Sequence, residues 1–446
     1  MPTRQELADK TAKEYFLEQA AAYFDDLKAT AHNAPYGQFL NCAEAVALDK
    51  GRDLIRQSLE TLVQEEIHDI EKKKETTLCP QCQTKKRHQG YRWKKINTAN
   101  GSVKLERRYD ACLPCHLPEH VADAHLGLEH RYTIGLRRLA VRAGGANSFE
   151  QAEDDLREYC GLELSHMTIR ELCQQEAPKM KKWQKESSEI QKDFIQAPGV
   201  VEVTMDGTCV NTTQGWKETK VGIISKRPLG EGVSPEQWDD RTLPRHSACV
   251  AFAAIEEKAL FQERFNQWRQ RLQLGAREDI SALGDGAAWI WNIILAVFGK
   301  IRENLDVYHG LEHVSDTGKV LYGEGTQEYE QWRAETTMEF LQSGFEDIEK
   351  RLDKLEQEPQ TDKEKEAVRL LRGYLDSHRD RLCYRKRLSE GRAIGSGQIE
   401  GACKNLIGRR LKQTGAKWTV PRLNRMTILC AIRYSSHWSK YWKNAK

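Results

Sequence analysis

The chain has 446 residues, long enough for several domains and a substantial buried core. Its formal net charge is only +3, with 69 Lys and Arg against 66 Asp and Glu, so bulk charge does not announce a polyanion binder. The longest strongly apolar stretch, Trp289 to Phe298, is interrupted by Asn292 and is too short for a bilayer, and the N-terminus is charged from Arg4 onward, unlike a signal peptide. A soluble, cytoplasmic protein is expected. Its basic residues are segregated: eleven Lys or Arg and one acid lie between Glu400 and Lys446, and twelve against three between Glu71 and Arg108. Such blocks suit phosphate, although many are only solvated faces.

Residues 1–77 read as helical, with Ala20, Tyr23, Phe24 and Leu27, then Leu54, Leu59, Leu62 and Ile67, at helical spacing. They carry no visible chemistry, so packing or assembly is their expected role. Residues 78–126 change character. Cys79-Pro-Gln-Cys82 and Cys112-Leu-Pro-Cys115 flank two alternating segments, His88 to Ile96 and Val103 to Tyr109, separated by Asn100-Gly101, a hairpin signal. Two thiolate knuckles joined by a hairpin predict a zinc ribbon, with Cys79, Cys82, Cys112 and Cys115 closing a tetrahedral structural Zn²⁺ site. The other eight cysteines lack ligand spacing and read as ordinary buried thiols.

Residues 127–196 read as helical again. Ser148-Phe149-Glu150-Gln151 has the form of a capping box, Gly161 a stop, and Ser165-His166-Met167-Thr168 a second cap with a helix running through Leu172. That order fits a DNA-reading helix-turn-helix and equally a plain packing pair.

Residues 197–315 carry the acids. Val200 to Met205 is a strand ending at Asp206, followed by strands over Trp216 to Ser225 and His246 to Ile255. An amphipathic helix spans Ala259 to Leu274, a strand Ile280 to Gly284 ends at Asp285, an apolar helix covers Ala287 to Phe298, and a fifth strand covers Leu305 to Tyr308. Three strands, helix, strand, helix, strand is the element order of a ribonuclease H-like domain. Residues 316–390 read as a charged helical insertion: Phe340, Phe345, Ile348, Leu352 and Leu355 keep helical period, Pro359 breaks it, and Leu370, Leu371, Tyr374 and Leu375 resume it. Residues 391–446 complete the core with a helix bearing Glu400 and a basic tail. The fold class expected is multidomain α+β: a ribonuclease H-like α/β catalytic core with a helical insertion, preceded by a zinc ribbon and helical N-terminal regions.

Asp206, Asp285 and Glu400 are the candidate catalytic residues. An aspartate before glycine is ordinarily a turn residue. Three carboxylates brought together repel unless cations join them, and hard oxygen ligands beside phosphate favour Mg²⁺, or Mn²⁺ in its place. Two such ions flanking a phosphodiester activate an attacking oxygen and stabilise the leaving one. His309 and His313 follow the fifth strand. His309 is a candidate for contact with the scissile phosphate or a catalytic group, against the ordinary reading of a buried histidine. Arg409, Arg410, Lys412, Lys417 and Trp418 are candidate DNA contacts, basic residues for phosphates and the indole for an exposed base. A solvated basic helix with a core tryptophan fits the same residues. No Walker loop, His-Glu-x-x-His or Gly-x-Ser-x-Gly is present.

Met205-Asp206-Gly207-Thr208, Leu283-Gly284-Asp285-Gly286-Ala287-Ala288-Trp289-Ile290-Trp291, Asp306-Val307-Tyr308-His309-Gly310-Leu311-Glu312-His313 and Gly395-Ser396-Gly397-Gln398-Ile399-Glu400-Gly401 resemble the bacterial DDE transposases of ISKra-type insertion sequences. Arg409-Arg410-Leu411-Lys412 and Gly415-Ala416-Lys417-Trp418 also fit. The resemblance covers roughly residues 78–420. It implies a ribonuclease H-like core and a catalytic triad of Asp206, Asp285 and Glu400. It further implies transposition through terminal inverted repeats, with those repeats and target DNA as partners, a homo-oligomer on DNA, and nucleoid association while bound. Asp306 and His309 match an acid-x-x-His signature of related transposase groups. Cys209-Val210-Asn211 departs from the glycine and proline that often follow the first acid in the family, which alters the adjoining loop but removes no ligand. A structure-selective nuclease of the same fold, or a domesticated DNA-binding regulator, are the alternatives.

Overall fold

The computed structural model describes residues 10–73, 77–275, 279–358 and 361–445; the ends of the first predicted helical region (1–9 and 74–76) and Pro359 lie outside the described residues. The chain is mixed α+β and divides into two compact units, 1–172 and 173–444.

The first unit opens with helices α1 (Ala12–His32) and α2 (Phe39–Lys73). Thr11 and Glu14 close a capping box at the start of α1. Strands β1 (Arg87–Thr98), β2 (Gly101–Ala111) and β3 (Pro118–His120) follow as an antiparallel sheet in that order. Register pairs Thr98 with Gly101, so the two-residue turn is Ala99-Asn100, one position before the expected Asn-Gly. One edge of β2 is covered by α2. The N–H groups of Lys104, Glu106 and Arg108 donate to the side chains of Glu60, Gln64 and Glu71, at 2.8, 2.8 and 2.6 Å. A step of four helical residues rises about 6 Å and two strand residues about 6.7 Å, so Glu60 and Gln64 fall beside successive outward amides. Ile67, on the same stripe, packs with Ile96, Val103 and Leu105 beneath.

After the short α3 (Asp123–Leu126) come α4 (Ile134–Gly144) and α5 (Phe149–Cys160). Ser148 accepts from the Gln151 N–H, and Gly161 ends α5 in the left-handed region. The Gln151 side chain turns to Asp155. The next helix, α6 (His166–Glu186), runs 14 residues past the expected Leu172. Its start is tied to α5 through Glu153, which accepts from the His166 N–H and ring at 2.7 and 2.9 Å.

The division between units falls inside α6 rather than near residue 196. The reason is packing: Trp183, and Ile190 and Phe194 of α7 (Ser188–Gln196), join the core under the second sheet. That sheet holds β4 (Val200–Thr212), β5 (Gly215–Arg227), β6 (Ala248–Ala254), β7 (Ile280–Gly284) and β8 (Arg302–Leu305), in the order β6-β5-β4-β7-β8. The first three strands are antiparallel; β4-β7 and β7-β8 are parallel. Helices α8 (Lys258–Arg271) and α9 (Ala288–Phe298) pack Phe261, Phe265, Ile290 and Ile294 against Val201, Val203 and Met205. Alternation then sends Glu202, Thr204 and Asp206 to the other face.

Three expectations are corrected. β4 does not stop before Asp206 but continues to Thr212, because β5 pairs with it along its whole length. The fifth strand is Arg302–Leu305, not Leu305–Tyr308, because the Asp306 side chain caps a helix that starts at Val307. The helical insertion therefore begins at Val307 and not at residue 316. It comprises α10 (Val307–Tyr322), α11 (Gln327–Ser343), α12 (Glu346–Glu356), α13 (Asp362–Ser377) and α14 (Tyr384–Ser389) around Trp332, Phe340, Leu371, Leu375 and Tyr384. Its entry and exit meet where the Val307 N–H donates to the Ile394 carbonyl at 3.1 Å.

The chain then returns as α15 (Gly397–Ala402), a π-helical turn over Cys403–Gly408, and the short α16 (Arg409–Leu411). Helices α17 (Val420–Tyr434) and α18 (Trp438–Asn444) close the unit. α17 covers the outer edge of β6: Ser435 and Asn424 accept from the amides of Ala251 and Ile255, and Thr427 donates to the Ala253 carbonyl.

Candidate functional site

Register brings the acids into a row. Val201 to Thr204 pair with Ile280 to Leu283 at a constant offset of 79, which sets Asp206 level with Asp285. Ser281 to Gly284 pair with Arg302 to Leu305 at an offset of 21, which sets Asp285 level with Asp306. Asp206 on β4, and Asp285 and Asp306 immediately after the ends of β7 and β8, thus fall at one level of the sheet.

They are not equivalent. Asp306 is 0 % exposed. Its Oδ1 accepts the N–H groups of Tyr308 and His309 at 2.7 and 3.2 Å, and its Oδ2 accepts the Ser396 N–H. Backbone donors therefore occupy both oxygens, and Asp306 ties the neck of the insertion to the residue before α15. Asp206 and Asp285 are half-buried. Asp206 accepts the Gly207 N–H at 2.6 Å and the Cys403 thiol at 3.4 Å. Burial raises its pKa and the Asp285 charge adds to this, while the Gly207 and Cys403 donors and the nearby His309 oppose it. Asp285 accepts the Ala287 N–H at 3.0 Å, and its own carbonyl accepts the Tyr374 hydroxyl at 3.2 Å.

Glu400 lies on α15, which crosses the polar face of β4 and β5. The helix is anchored there by Ser225 donating to the Gln398 side chain at 3.0 Å, and by the Tyr434 hydroxyl donating to the Gln398 carbonyl at 3.2 Å. Cys403 is one turn beyond Glu400. Its thiol is pushed up by burial, by the Asp206 charge and by its bond to Asp206, and Glu400 adds to this. Cys403 was among the eight cysteines read as ordinary buried thiols; it is half-buried and faces an acid of the row. No spacing rule marks it, because its partner is 197 residues away. Of the other seven, Cys173 and Cys430 are buried, Cys42, Cys160 and Cys249 are half-buried, and Cys209 and Cys383 are exposed.

His309 pairs its Nδ1 with Glu312 at 3.2 Å. His313 stacks on Tyr374 at 3.7 Å between ring centres, and burial lowers its pKa. Of the basic residues, Arg409, Lys412 and Lys417 are exposed, and Lys412 donates to Thr208 Oγ1 at 2.5 Å, two residues along β4 from Asp206. Arg410 is only 3 % exposed and lies 5.1 Å over the Trp418 ring. The indole N–H donates to the Leu411 carbonyl at 3.1 Å, and the Trp418 backbone bonds to Asn211 and Thr213 at the end of β4. Arg410 and Trp418 thus pack the basic segment onto the sheet, and the exposed basic residues of the five are Arg409, Lys412 and Lys417.

In the first unit, Cys79, Cys82, Cys112 and Cys115 have sulfurs all within 4.8 Å of one another, and Cys82 and Cys112 approach to 3.4 Å. Both knuckles turn alike: the residue after each second cysteine, Gln83 and His116, is left-handed at φ 58° and 53°. Hydrogen bonds from the Thr84 hydroxyl and N–H draw Cys82 down to about 6, whereas Cys82 and burial push Cys115 up to about 12. Four soft sulfurs at this spacing fit a tetrahedral structural ion such as zinc with no open position. Among the described residues this is the one cluster of three or more such ligands packed so closely, so the carboxylates do not form a compact single-ion chelate. Their donor chemistry does fit hard divalent cations: Asp206 and Asp285 sit at one level of the sheet, and a cation there would offset the like charge of Asp285 that bears on Asp206.

No family model matches the chain, and no curated protein matches it.

Proposed function

We propose that the chain is a DDE-type DNA transposase with a ribonuclease H-like core, in which Asp206, Asp285 and Glu400 hold Mg²⁺, or Mn²⁺, at the reacting phosphodiester. The observation that carries this reading is the register of the parallel strands β4 and β7, which sets Asp206 level with Asp285 at the end of β7, in a sheet ordered third-second-first-fourth-fifth. The helix bearing Glu400 packs on the same face, through Gln398 and Cys403. Bound divalent ions would supply Lewis acidity to the attacking and leaving oxygens. Lys412, held beside Thr208, offers a cation to the phosphate, and Arg409 and Lys417 extend that surface.

In the reaction proposed, a water oxygen bonds to phosphorus as the P–O3′ bond at the element end breaks, freeing a 3′-hydroxyl. That hydroxyl then attacks a target phosphodiester, exchanging one P–O bond for another. The four-cysteine ribbon, with Lys85, Arg92, Lys94 and Lys95 nearby in sequence, and the α5–α6 pair are the proposed readers of the terminal inverted repeats. The protein is proposed to act as a homo-oligomer that holds two ends.

The test is incubation of the protein and Mg²⁺ with labelled inverted-repeat DNA, taken from the sequence flanking the gene, and a target plasmid. Joined product that disappears in Asp285→Ala and Glu400→Gln supports the transposase. Cleavage without joining reassigns the protein as a nuclease of the same chemistry. Specific binding with no Mg²⁺-dependent cleavage reassigns it as a DNA-binding regulator.

A further inference from the structure

The insertion reaches the acidic row at a second place, away from its neck. The last turn of α13 and the residue after it supply Tyr374 and His378, and both bear on the loop Asp285-Gly286-Ala287. Tyr374 donates its hydroxyl to the Asp285 carbonyl at 3.2 Å. Gly286 is left-handed at φ 95°, and a Cβ there would lie 2.9 Å from the Tyr374 hydroxyl and 3.0 Å from His378 Nε2. Only glycine fits beneath the pair.

Each side chain of the pair is itself held. The Tyr374 ring stacks on His313 of α10 at 3.7 Å and 29°. His378 is 7 % exposed, and its Nδ1 faces Arg381 Nη1 at 3.3 Å. A guanidinium only donates, so Nδ1 accepts and the ring proton sits on Nε2, the nitrogen turned toward Gly286. Arg381 is fixed in turn by Glu303 at 2.6 Å and by the Trp291 ring at 4.4 Å. Trp291 belongs to α9, the helix that the loop leads into. The loop is therefore enclosed between its own helix and the insertion.

We propose that Tyr374 and His378 are positioning residues that clamp the Asp285 loop, so that the helical insertion sets the carboxylate of Asp285 for its cation. The inference rests on Asp285 being a cation ligand. A loop that carries a ligand between a strand end and a helix start has few contacts of its own. The Ala287 N–H to Asp285 Oδ1 bond orients the carboxylate within the loop, and the Tyr374 hydroxyl fixes the loop against the rest of the unit. Removing that hydroxyl frees the loop while leaving the ring, its stacking and the fold in place.

Two measurements on the full-length, zinc-loaded protein test this. The first is hydrogen exchange at Gly286 and Ala287 without added divalent cation. Tyr374→Phe is expected to speed exchange about fivefold, the weight of one ordinary hydrogen bond. The second is Mn²⁺ affinity by calorimetric titration. Tyr374→Phe is expected to weaken binding about fivefold, the weight of its one hydrogen bond to the loop, and His378→Asn, which withdraws the ring from Gly286, to weaken it as well. His378→Gln, whose amide nitrogen stands where Nε2–H does, is expected to retain it. Wild-type exchange in Tyr374→Phe overturns the clamp whatever the cation does. Wild-type Mn²⁺ affinity in both Tyr374→Phe and His378→Asn overturns it too, provided that Asp285→Asn abolishes binding. If Asp285→Asn binds Mn²⁺ like wild type, the cation reading of the acidic row is what has failed, and the clamp's proposed purpose falls with it.

Discussion

Asp306→Ala is the sharpest test of how the acidic row is built. The Asp306 carboxylate is fully buried and accepts three backbone N–H groups, two at the start of α10 and one from Ser396. Loss of an N-cap side chain costs about 1–2 kcal/mol. Leaving the Ser396 N–H buried without its acceptor adds about 1–3 kcal/mol. Asp306→Ala should therefore destabilise the unit by about 2–5 kcal/mol, which lowers its melting temperature by roughly 10 °C for a body of this size. Asp306→Asn should fall between the two. Its carbonyl oxygen can still cap α10, but its amide then turns a donor toward the Ser396 donor, or the reverse if the group flips. Scanning calorimetry of the three full-length proteins without divalent cation measures this directly. An alanine variant melting within about 2 °C of wild type would refute the reasoning, since it would mean that the carboxylate bears none of the connection between neck and α15.

Three further outcomes are expected. Purified protein should contain one zinc per chain and Cys79→Ser/Cys82→Ser almost none by elemental analysis; equal zinc in both would show that the four sulfurs do not hold the ion. His437, only 7 % exposed, is held down to about 4 by burial first and then by Lys440, so it folds neutral. An unfolded histidine binds its proton below about 6.5, so stability is lost as pH falls from there toward 4, by about 2–3 kcal/mol. His437→Phe should flatten that slope in urea titrations at pH 4.5 and 7, and an unchanged slope would count against it. Arg409→Ala and Lys412→Ala should each reduce the salt dependence of DNA binding by about one unit of slope while leaving the melting temperature alone. Arg410→Ala should instead lower the melting temperature, because its guanidinium covers Trp418.

Apolar patterns announce most of the second sheet: β7 and α9 are nearly continuous in apolar residues, and β4 alternates Val201, Val203 and Met205 into the core. The reading failed where a polar side chain decides the backbone. Leu305-Asp306-Val307-Tyr308 alternates like a strand, yet the Asp306 carboxylate captures two amides and starts a helix instead. Asp206 read as a strand end because glycine follows it, but a 13-residue partner strand carries the ladder straight through. Arg410 and Lys412 look alike in a basic run. Which of them turns inward depends on Trp418 being tied to the end of β4, a contact no local pattern encodes. The same holds for Cys403 and Tyr374, each of which meets its aspartate across a long stretch of chain.

Charged helices call for a different default from the one their composition suggests. Residues 39–73 carry no catalytic pattern and resemble a solvated helix, yet Glu60, Gln64 and Glu71 are buried and take the outward amides of β2. The same device recurs in the second unit, where Asn424, Thr427 and Ser435, on α17 and at its end, satisfy the open edge of β6. An uncovered edge strand presents a row of unpaired donors and acceptors to any other chain. In both units the cover is a helix whose polar stripe matches the strand repeat, rather than another strand. Such a stripe reads as surface in sequence because each of its residues is polar. It is buried in the fold because each of those groups finds a backbone partner, and that pairing is what makes the burial tolerable. The long N-terminal helix α2 therefore has a concrete structural role, which is to close the edge of the sheet whose hairpin joins the two cysteine knuckles.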